Sequence, residues 1–175
     1  MMRCAVFIDG NNVFHSSRML GLEVDYAKLL EVLIDKDDML IRAFFHTGVN
    51  EALEKQKGFL RWMKRNGFMV VERKVEIDRD GKKRANLDVE ITTDMLALAD
   101  RLDMVILVSH DGDFVYPLKA LAQRGVRIVV AGFRSIMNGE LMDAADRCID
   151  LTEQMDKIRK VGSPNEEHHD FHERA

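Results

Sequence analysis

Residues 105–114 read Val105-Ile106-Leu107-Val108-Ser109-His110-Asp111-Gly112-Asp113-Phe114, a run of β-formers that stops at two aspartates separated by one glycine. From Met104 to Ser109 five of six residues are apolar, and Val105, Ile106 and Val108 are β-branched. That composition suits a strand covered on both faces, as in a parallel sheet. A helical pattern begins directly behind it at Phe114, so Asp111 and Asp113 stand at the carboxyl end of a buried strand. Open α/β sheets place their ligand sites outside that end, where the strand order reverses. Two carboxylates there either hold a cation or repel each other, and the pattern reads as half of a metal site.

The rest of the chain alternates strand and helix. Arg3 to Ile8 (RCAVFI) is the first predicted strand, ending at Asp9-Gly10-Asn11-Asn12, where the glycine allows a tight turn and Asn11 or Asn12 can cap a short helix. Tyr26, Leu29, Leu30, Leu33 and Ile34 recur at helical spacing behind a capping Asp25. A second strand is expected over 39–46 and a helix over 50–66, closed by Gly67. A third strand over 68–77 ends in alternating charged and apolar residues, which suits an edge. Asp80-Gly81 signals an exposed hairpin or mobile loop over 78–84. Helix 87–101, the strand quoted above, helix 114–124, strand 126–131, helix 136–145 and a short last strand 147–151 follow. One domain over 1–160 is expected, with 161–175 a disordered tail that lacks periodicity.

This alternation implies a three-layer α/β/α architecture around a mostly parallel sheet, because parallel crossovers are helix-sized and right-handed. With a strand order of about 3-2-1-4-5, the first and fourth strands are neighbours at the switch point. Asp9 then lies beside Asp111 and Asp113, although the sequence separates them widely. A fourth carboxylate comes from the helix entered at Leu87-Asp88. Asp94 is six residues further on, about 120° around that helix and ~9 Å along it, so Asp88 and Asp94 cannot both reach one ion unless Asp88 precedes the helix. Asp88 is preferred and Asp94 is second. The competing reading of Asp88 is a plain helix cap, favourable near the positive end of the dipole.

At 175 residues, 46% hydrophobic and 32% charged, the chain can bury one substantial core. Its apolar runs are no longer than a strand, which argues against a membrane-spanning helix. Its first residues lack the apolar stretch of a secretory signal, so a cytoplasmic location is expected. Cys4 and Cys148 have no CxxC spacing and are expected to be small buried hydrophobes. The net charge of −4 is unevenly spread, since residues 55–84 hold eleven basic side chains against four acidic ones. A basic rim beside an acidic pocket would meet phosphates. A solvated helix and hairpin is the competing reading.

FIDGNN at the end of the first strand, LDVEITTDML at the helix entry, and SHDGDFVYPLKALAQRGVRIVVAG from the central strand onward resemble, together, the three motif blocks of NYN-domain proteins. These form the LabA-like group within the PIN-like nuclease superfamily. The resemblance reaches to about Leu151 and is specific in combination, since DGD alone occurs in unrelated sites. It implies a PIN-like, Rossmann-type α/β/α fold, acidic residues binding Mg²⁺ or Mn²⁺, and ribonuclease activity. By position it marks Asp9, Asn12, Asp88, Asp94, Asp111 and Asp113. The region of Ser135, Leu141 and Asp146 is similar to the family's last block, in which the serine faces the site. The third block usually carries a small residue where this chain has His110.

Four carboxylates with pKa values of about 4 are ionised at neutral pH and repel one another, so they require a cation. All-oxygen ligation suits Mg²⁺ or Mn²⁺ better than Zn²⁺. The expected activity is endonucleolytic hydrolysis of RNA, single-stranded or structured, with Asp9, Asp88, Asp111 and Asp113 as catalytic and metal-binding residues and Asp94 as a further ligand candidate. Asn12 would orient a ligand water or a phosphate oxygen, Ser135 would hydrogen-bond the scissile phosphate, and Lys82, Lys83 and Arg84 would grip flanking phosphates. His110 either reaches the crevice as a proton donor or turns inward as a core histidine. His15 and His46 read as structural, His168 and His172 would bind a metal only on a helical tail, and Trp62 reads as packed on the sheet rather than stacking a base. A homo-oligomer or protein partner is also open, and no membrane partner is expected. A phosphatase of the haloacid dehalogenase kind needs a second aspartate two residues after the first, where this chain has Asn11. A non-catalytic relative that keeps the metal site and works as an RNA- or protein-binding regulator is the alternative.

Overall fold

The structure, a computed structural model, describes residues 1–50, 53–77, 83–84 and 86–161, and of Ile77, Lys83 and Arg84 the backbone alone. The expected tail, the turn at Asp80-Gly81, Lys82, His168 and His172 lie outside the described residues. Six strands form one sheet: β1 (Arg3–Asp9), β2 (Met39–Val49), β3 (Phe68–Lys74), β6 (Met104–Val108), β7 (Arg127–Gly132) and β8 (Arg147–Asp150). Between β3 and β6 in sequence, β4 (Glu76–Ile77) and β5 (Lys83–Arg84) pair antiparallel as a separate ribbon. The sheet order is β3-β2-β1-β6-β7-β8 with every pairing parallel. Counting only sheet strands this is 3-2-1-4-5-6, the expected order with the last strand added at the edge.

Helices cover both faces, and the strands divide their side chains between them. Cys4, Val6 and Ile8 face α1 (Gly10–Met19), α2 (Tyr26–Leu33) and α3 (Glu54–Arg65), packing with Val13, Leu29, Leu33 and Met63. Ala5 and Phe7 face α4 (Asp88–Leu98), α5 (Val115–Gln123) and α6 (Gly139–Asp143), packing with Ile91, Met95, Leu118 and Leu141. Phe7 stacks on Phe44 of β2 at 4.9 Å and 7° between planes. Every residue of β6 is buried, as a central parallel strand requires. No helix among the described residues is long and apolar enough to cross a membrane.

Several boundaries differ from the sequence reading for physical reasons. The predicted third strand breaks after Lys74, because β2 ends at Val49 and Val75 N–H makes the last bond, to the Val49 carbonyl at 3.1 Å. The ribbon β4–β5 then leaves the sheet. α3 begins at Glu54 rather than Asn50, with Leu53 and Trp62 about half exposed and only Leu60 and Met63 buried, so Trp62 does not pack into the sheet as expected. α6 is shorter than predicted because Asn138 accepts from Leu141 N–H and starts the helix there. Cys4 is buried but Cys148 is exposed on the edge strand β8. A short α7 (Met155–Ile158), which the sequence did not suggest, buries Ile158 and accepts Asp25 N–H through the Ile158 carbonyl.

Gly10 serves close approach rather than turn geometry. A Cβ at this position would lie 2.6 Å from Phe45 Cζ and 2.7 Å from the His46 carbonyl oxygen, which belongs to the sheet backbone and cannot swing away. Gly10→Ala should therefore lower unfolding free energy by roughly 1–3 kcal/mol, the usual cost of overpacking, with an unchanged m-value in urea titration. A variant as stable as wild type would show that α1 can lift off β2 without loss.

Candidate metal centre

β1 and β6 lie side by side, with Ile8 level with Val108, and the chain leaves them toward opposite faces of the sheet. The gap between the two exits is the crevice that a strand-order switch produces. Asp9 closes β1 and also caps α1, its Oδ1 accepting Asn12 N–H at 3.2 Å. The cap is thus Asp9 itself, not Asn11 or Asn12. Ser109, fully buried, donates its hydroxyl to Asp9 Oδ2 at 3.1 Å and accepts Asp111 N–H at 3.3 Å. One hydroxyl thereby ties the acid of β1 to the acid turn after β6. Sequence reasoning passed over Ser109; its position between a buried strand and an acidic turn was the available signal.

Asp111 caps the 3₁₀ turn Gly112–Phe114, its Oδ1 accepting Asp113 N–H at 2.9 Å. Asp88 opens α4, with its own N–H held by Asn86 Oδ1 at 2.8 Å. Carboxylate oxygens of Asp88, Asp111 and Asp113 all lie within 4.8 Å of one another. Asp113 is exposed and the other two are half-buried. Asp9 sits behind them. Burial above all pushes its carboxyl up to about 6, the charges of Asp88 and Asp111 add to that, and the Asn12 and Ser109 hydrogen bonds oppose it. Asp88 is also raised, first by burial and then by Asp111 and Asp113. The set is a concentration of negative charge with no cation among its partners in the described residues.

Asp94 is turned elsewhere, as its position on the helix requires. Its Oδ2 accepts from Nε2 of the fully buried His46 at 2.7 Å, and burial holds His46 below its ordinary pKa despite that carboxylate. His46 is structural, as read from sequence. Arg73, at the end of β3, donates to the Asn86 carbonyl and to Glu90 Oε1, both at 3.0 Å. It pins the first turn of α4 and hence Asp88, a role no motif announced.

His110 turns inward. Phe133 N–H donates to its Nε2 at 2.7 Å, which leaves the proton on Nδ1, and Nδ1 donates to Asn12 Oδ1 with Ser16 Oγ 3.2 Å away. Burial pushes the imidazole down to about 4, so it is neutral at physiological pH. The proton-donor reading is corrected, because neither ring nitrogen is left for a leaving oxygen. Asn12 Oδ1 also accepts His110 N–H at 3.1 Å, so this side chain spends its oxygen bracing the two halves of the crevice. Gly112 has no room for a Cβ, which would fall 2.7 Å from Asn138 Nδ2. Asn138 N–H in turn donates to the His110 carbonyl at 3.2 Å. Ser135 is exposed on the 3₁₀ turn between Phe133 and Asn138, and Asp146 accepts Ile128 N–H at 2.7 Å, away from the crevice. Lys83 and Arg84 form β5, and their side chains lie outside the description.

A parallel sheet with carboxylates gathered at its switch point defines a Rossmann-like domain with an all-oxygen candidate cation site. Residues 3–152 match the NYN domain, and the chain belongs to that family, within the PIN-like nuclease superfamily. It is 31% identical over 169 residues to the low amplitude and bright protein LabA of Synechococcus elongatus, a match covering 93% of this chain and 90% of that protein. The fold aligns at a TM-score of 0.80 and 26% identity with the crystal structure of a Vibrio parahaemolyticus protein of unknown function, covering 91% of this chain and 96% of the other.

The raised pKa of Asp9 has a signed consequence. Between its ordinary value of 3.8 and about 6, the folded protein binds more protons than the unfolded chain, so stability falls as pH rises through that window. Without metal, the ionised Asp9 costs on the order of 3 kcal/mol at pH 7.5. Asp9→Asn keeps an acceptor oxygen for Asn12 N–H and turns the other position into an amide donor toward Ser109 Oγ, and it should stabilise metal-free protein by about 1–3 kcal/mol at pH 7.5, with the gain vanishing near pH 4. Denaturant titrations of both proteins in chelator across that range check this. A variant less stable at pH 7.5 would mean that the charge is wanted by the fold itself.

Proposed function

We propose that this protein is a metal-dependent endoribonuclease that hydrolyses RNA phosphodiester bonds at the Asp9, Asp88, Asp111 and Asp113 crevice. The convergence of Asp88, Asp111 and Asp113 carries the reading, because three carboxylates lie within 4.8 Å of one another, backed by a fourth, and have no cationic partner among the described residues. The donors fit a hard divalent cation such as Mg²⁺ or Mn²⁺, since every ligand atom is a carboxylate oxygen and the group, among the described residues, includes no thiol or imidazole. When bound, such an ion supplies Lewis acidity toward a phosphate oxygen and neutralises the charge that grows during phosphodiester hydrolysis.

The chain's own residues divide the remaining work. Asp88 and Asp111 would hold the ion, and Asp9 would add its charge while its hydrogen bonds with Asn12 and Ser109 fix its rotamer. Asp113, the exposed member, meets incoming water first and orients it toward phosphorus as a proton acceptor. Asp94, held by His46, acts through the fold of α4 rather than as a ligand. The Asn12 amide nitrogen and the exposed Ser135 hydroxyl are donors for phosphate oxygens. Lys82, Lys83 and Arg84 supply charge for flanking phosphates. NYN membership supports nucleic acid as the partner class.

The test is to incubate the purified protein with labelled single-stranded RNA and DNA in Mn²⁺, Mg²⁺ or chelator. RNA should be cleaved internally with either metal and left intact in chelator. Asp111→Asn keeps the cap on Asp113 N–H but removes one ligand charge, and should lower the rate by about 100-fold or more, the scale of losing one electrostatic stabiliser of the transition state. It should also lose most of the rise in melting temperature that Mn²⁺ gives wild type. Metal-indifferent melting of wild type, together with intact RNA in every condition, would overturn the proposal.

A further inference from the structure

Two of the most exposed apolar side chains in the described protein belong to the helix entries that carry Asp113 and Asp88 of the acidic cluster. Tyr116 is 83% exposed and Val89 72%. Tyr116 follows Asp113 by three residues in the continuous helical path of the 3₁₀ turn and α5, so the two share a face. Val89 follows Asp88 in the first turn of α4, and α4 packs against both α5 and that 3₁₀ turn. Each therefore belongs to the same helix entry as an acid of the cluster. Neither contributes to the core, where α5 uses Leu118 and Leu121 and α4 uses Ile91 and Met95. Tyr116 makes no hydrogen bond or ring contact among the described residues, unlike Tyr26, which is buried against Phe45 and Phe59. An aromatic ring left in water on a helix entry gains nothing for stability, whereas the same ring beside a phosphate-cleaving centre offers a flat apolar face.

We propose that Tyr116 stacks an unpaired base of the nucleotide next to the scissile phosphate, with Val89 closing the apolar rim, and that the substrate is therefore single-stranded. The inference rests on the nuclease reading above and deepens it. Neighbours three apart on a helix have Cβ atoms roughly 5–6 Å apart, so a phosphate held at the acids delivers its adjoining base to the ring within one nucleotide's span. Stacking accepts any base, because each has a π-face. It rejects a duplex, in which those faces are already covered by their neighbours. The acids would then fix where the chain is cut and Tyr116 which conformation of RNA is admitted. Phe14 is a weaker candidate for the same role, since the Arg18 guanidinium already lies over its ring at 5.6 Å.

The test compares kcat/KM of wild type, Tyr116→Ala, Tyr116→Phe and Tyr116→Trp on an unstructured RNA and on a hairpin stem of the same composition, with Mn²⁺ present. Tyr116→Ala should lose about 5- to 100-fold on the unstructured RNA, the range of one base–aromatic stack. Most of that loss should fall in KM, with the hairpin rate and the melting temperature unchanged. Tyr116→Phe and Tyr116→Trp should retain wild-type discrimination, which a purely structural role would not predict. If wild type cleaves unstructured RNA and Tyr116→Ala cleaves it as well, stacking is wrong and the nuclease reading stands. If wild type cleaves neither RNA, both are wrong.

Discussion

Like charges resist being gathered, and this fold gathers three carboxylates within 4.8 Å of one another and sets a fourth, Asp9, near enough to be raised by two of them. A pair at roughly 5 Å costs on the order of 3 kcal/mol at an effective dielectric of about 20, so the arrangement survives only because the surrounding structure imposes it. The imposition is backbone geometry. Asp9 is fixed by the end of β1, Asp111 and Asp113 by the turn after β6, and Asp88 by the entry to α4. The parallel pairing of β1 with β6 holds the first two entries together through buried residues on both faces. The hydrogen bonds at the acids are each donated by neutral groups, Asn12 N–H, Ser109 Oγ, and the backbone N–H of Asp113. They orient the carboxylates without cancelling their charge.

Behind the acids lies a neutral polar layer centred on His110. Its ring receives Phe133 N–H, donates to Asn12, and stacks on the Phe133 ring at 5.6 Å. It thus joins the entry to α1, the turn after β6 and the turn after β7. A small residue in that place would leave the Phe133 N–H without its acceptor and a void beside Gly132, whose hydrogen faces the imidazole. The departure from the usual family pattern is therefore a packing solution rather than an added catalytic group. Its depressed pKa keeps it neutral, so it adds no positive charge that would compete with a cation for the acids.

The architecture was legible because its signals are periodic and local. Strand and helix alternation, with a fully apolar strand at 104–108, led to the parallel sheet and its order, and the order alone brought Asp9 to Asp111. Helix pitch indicated only that Asp88 and Asp94 could not both reach one ion; Asp88 was preferred as the residue at the helix entry, and Asp94 is bonded to His46. What was not legible depends on contacts between distant segments. Nothing local announces that Ser109 reaches Asp9 across 100 residues or that Arg73 of β3 steadies the start of α4. Trp62 misled for a related reason. Its helical position is close to the buried stripe, but the shallow docking of α3 on an edge strand covers only Leu60 and Met63. Cys148 misled likewise, since β8 is an edge and one of its faces is open.

The pairing of β1 with β6 also sets a schedule for the chain's life on the ribosome. Ser109 and Asp9, joined by a hydrogen bond, are separated by 100 residues, and β1 finds its other neighbour, β2, much sooner. During synthesis the amino-terminal strands and their helices can begin to assemble while the crevice still lacks one wall. Long-range parallel contacts are the slow ones in folding, because a large loop must close before they are rewarded. The acids are therefore scattered on an unfinished chain throughout the emergence of its first half, and the cluster exists only once the central strand has slotted in. If the proposed RNA hydrolysis is what the cluster does, the growing chain is inert toward its own message until the central strand has emerged.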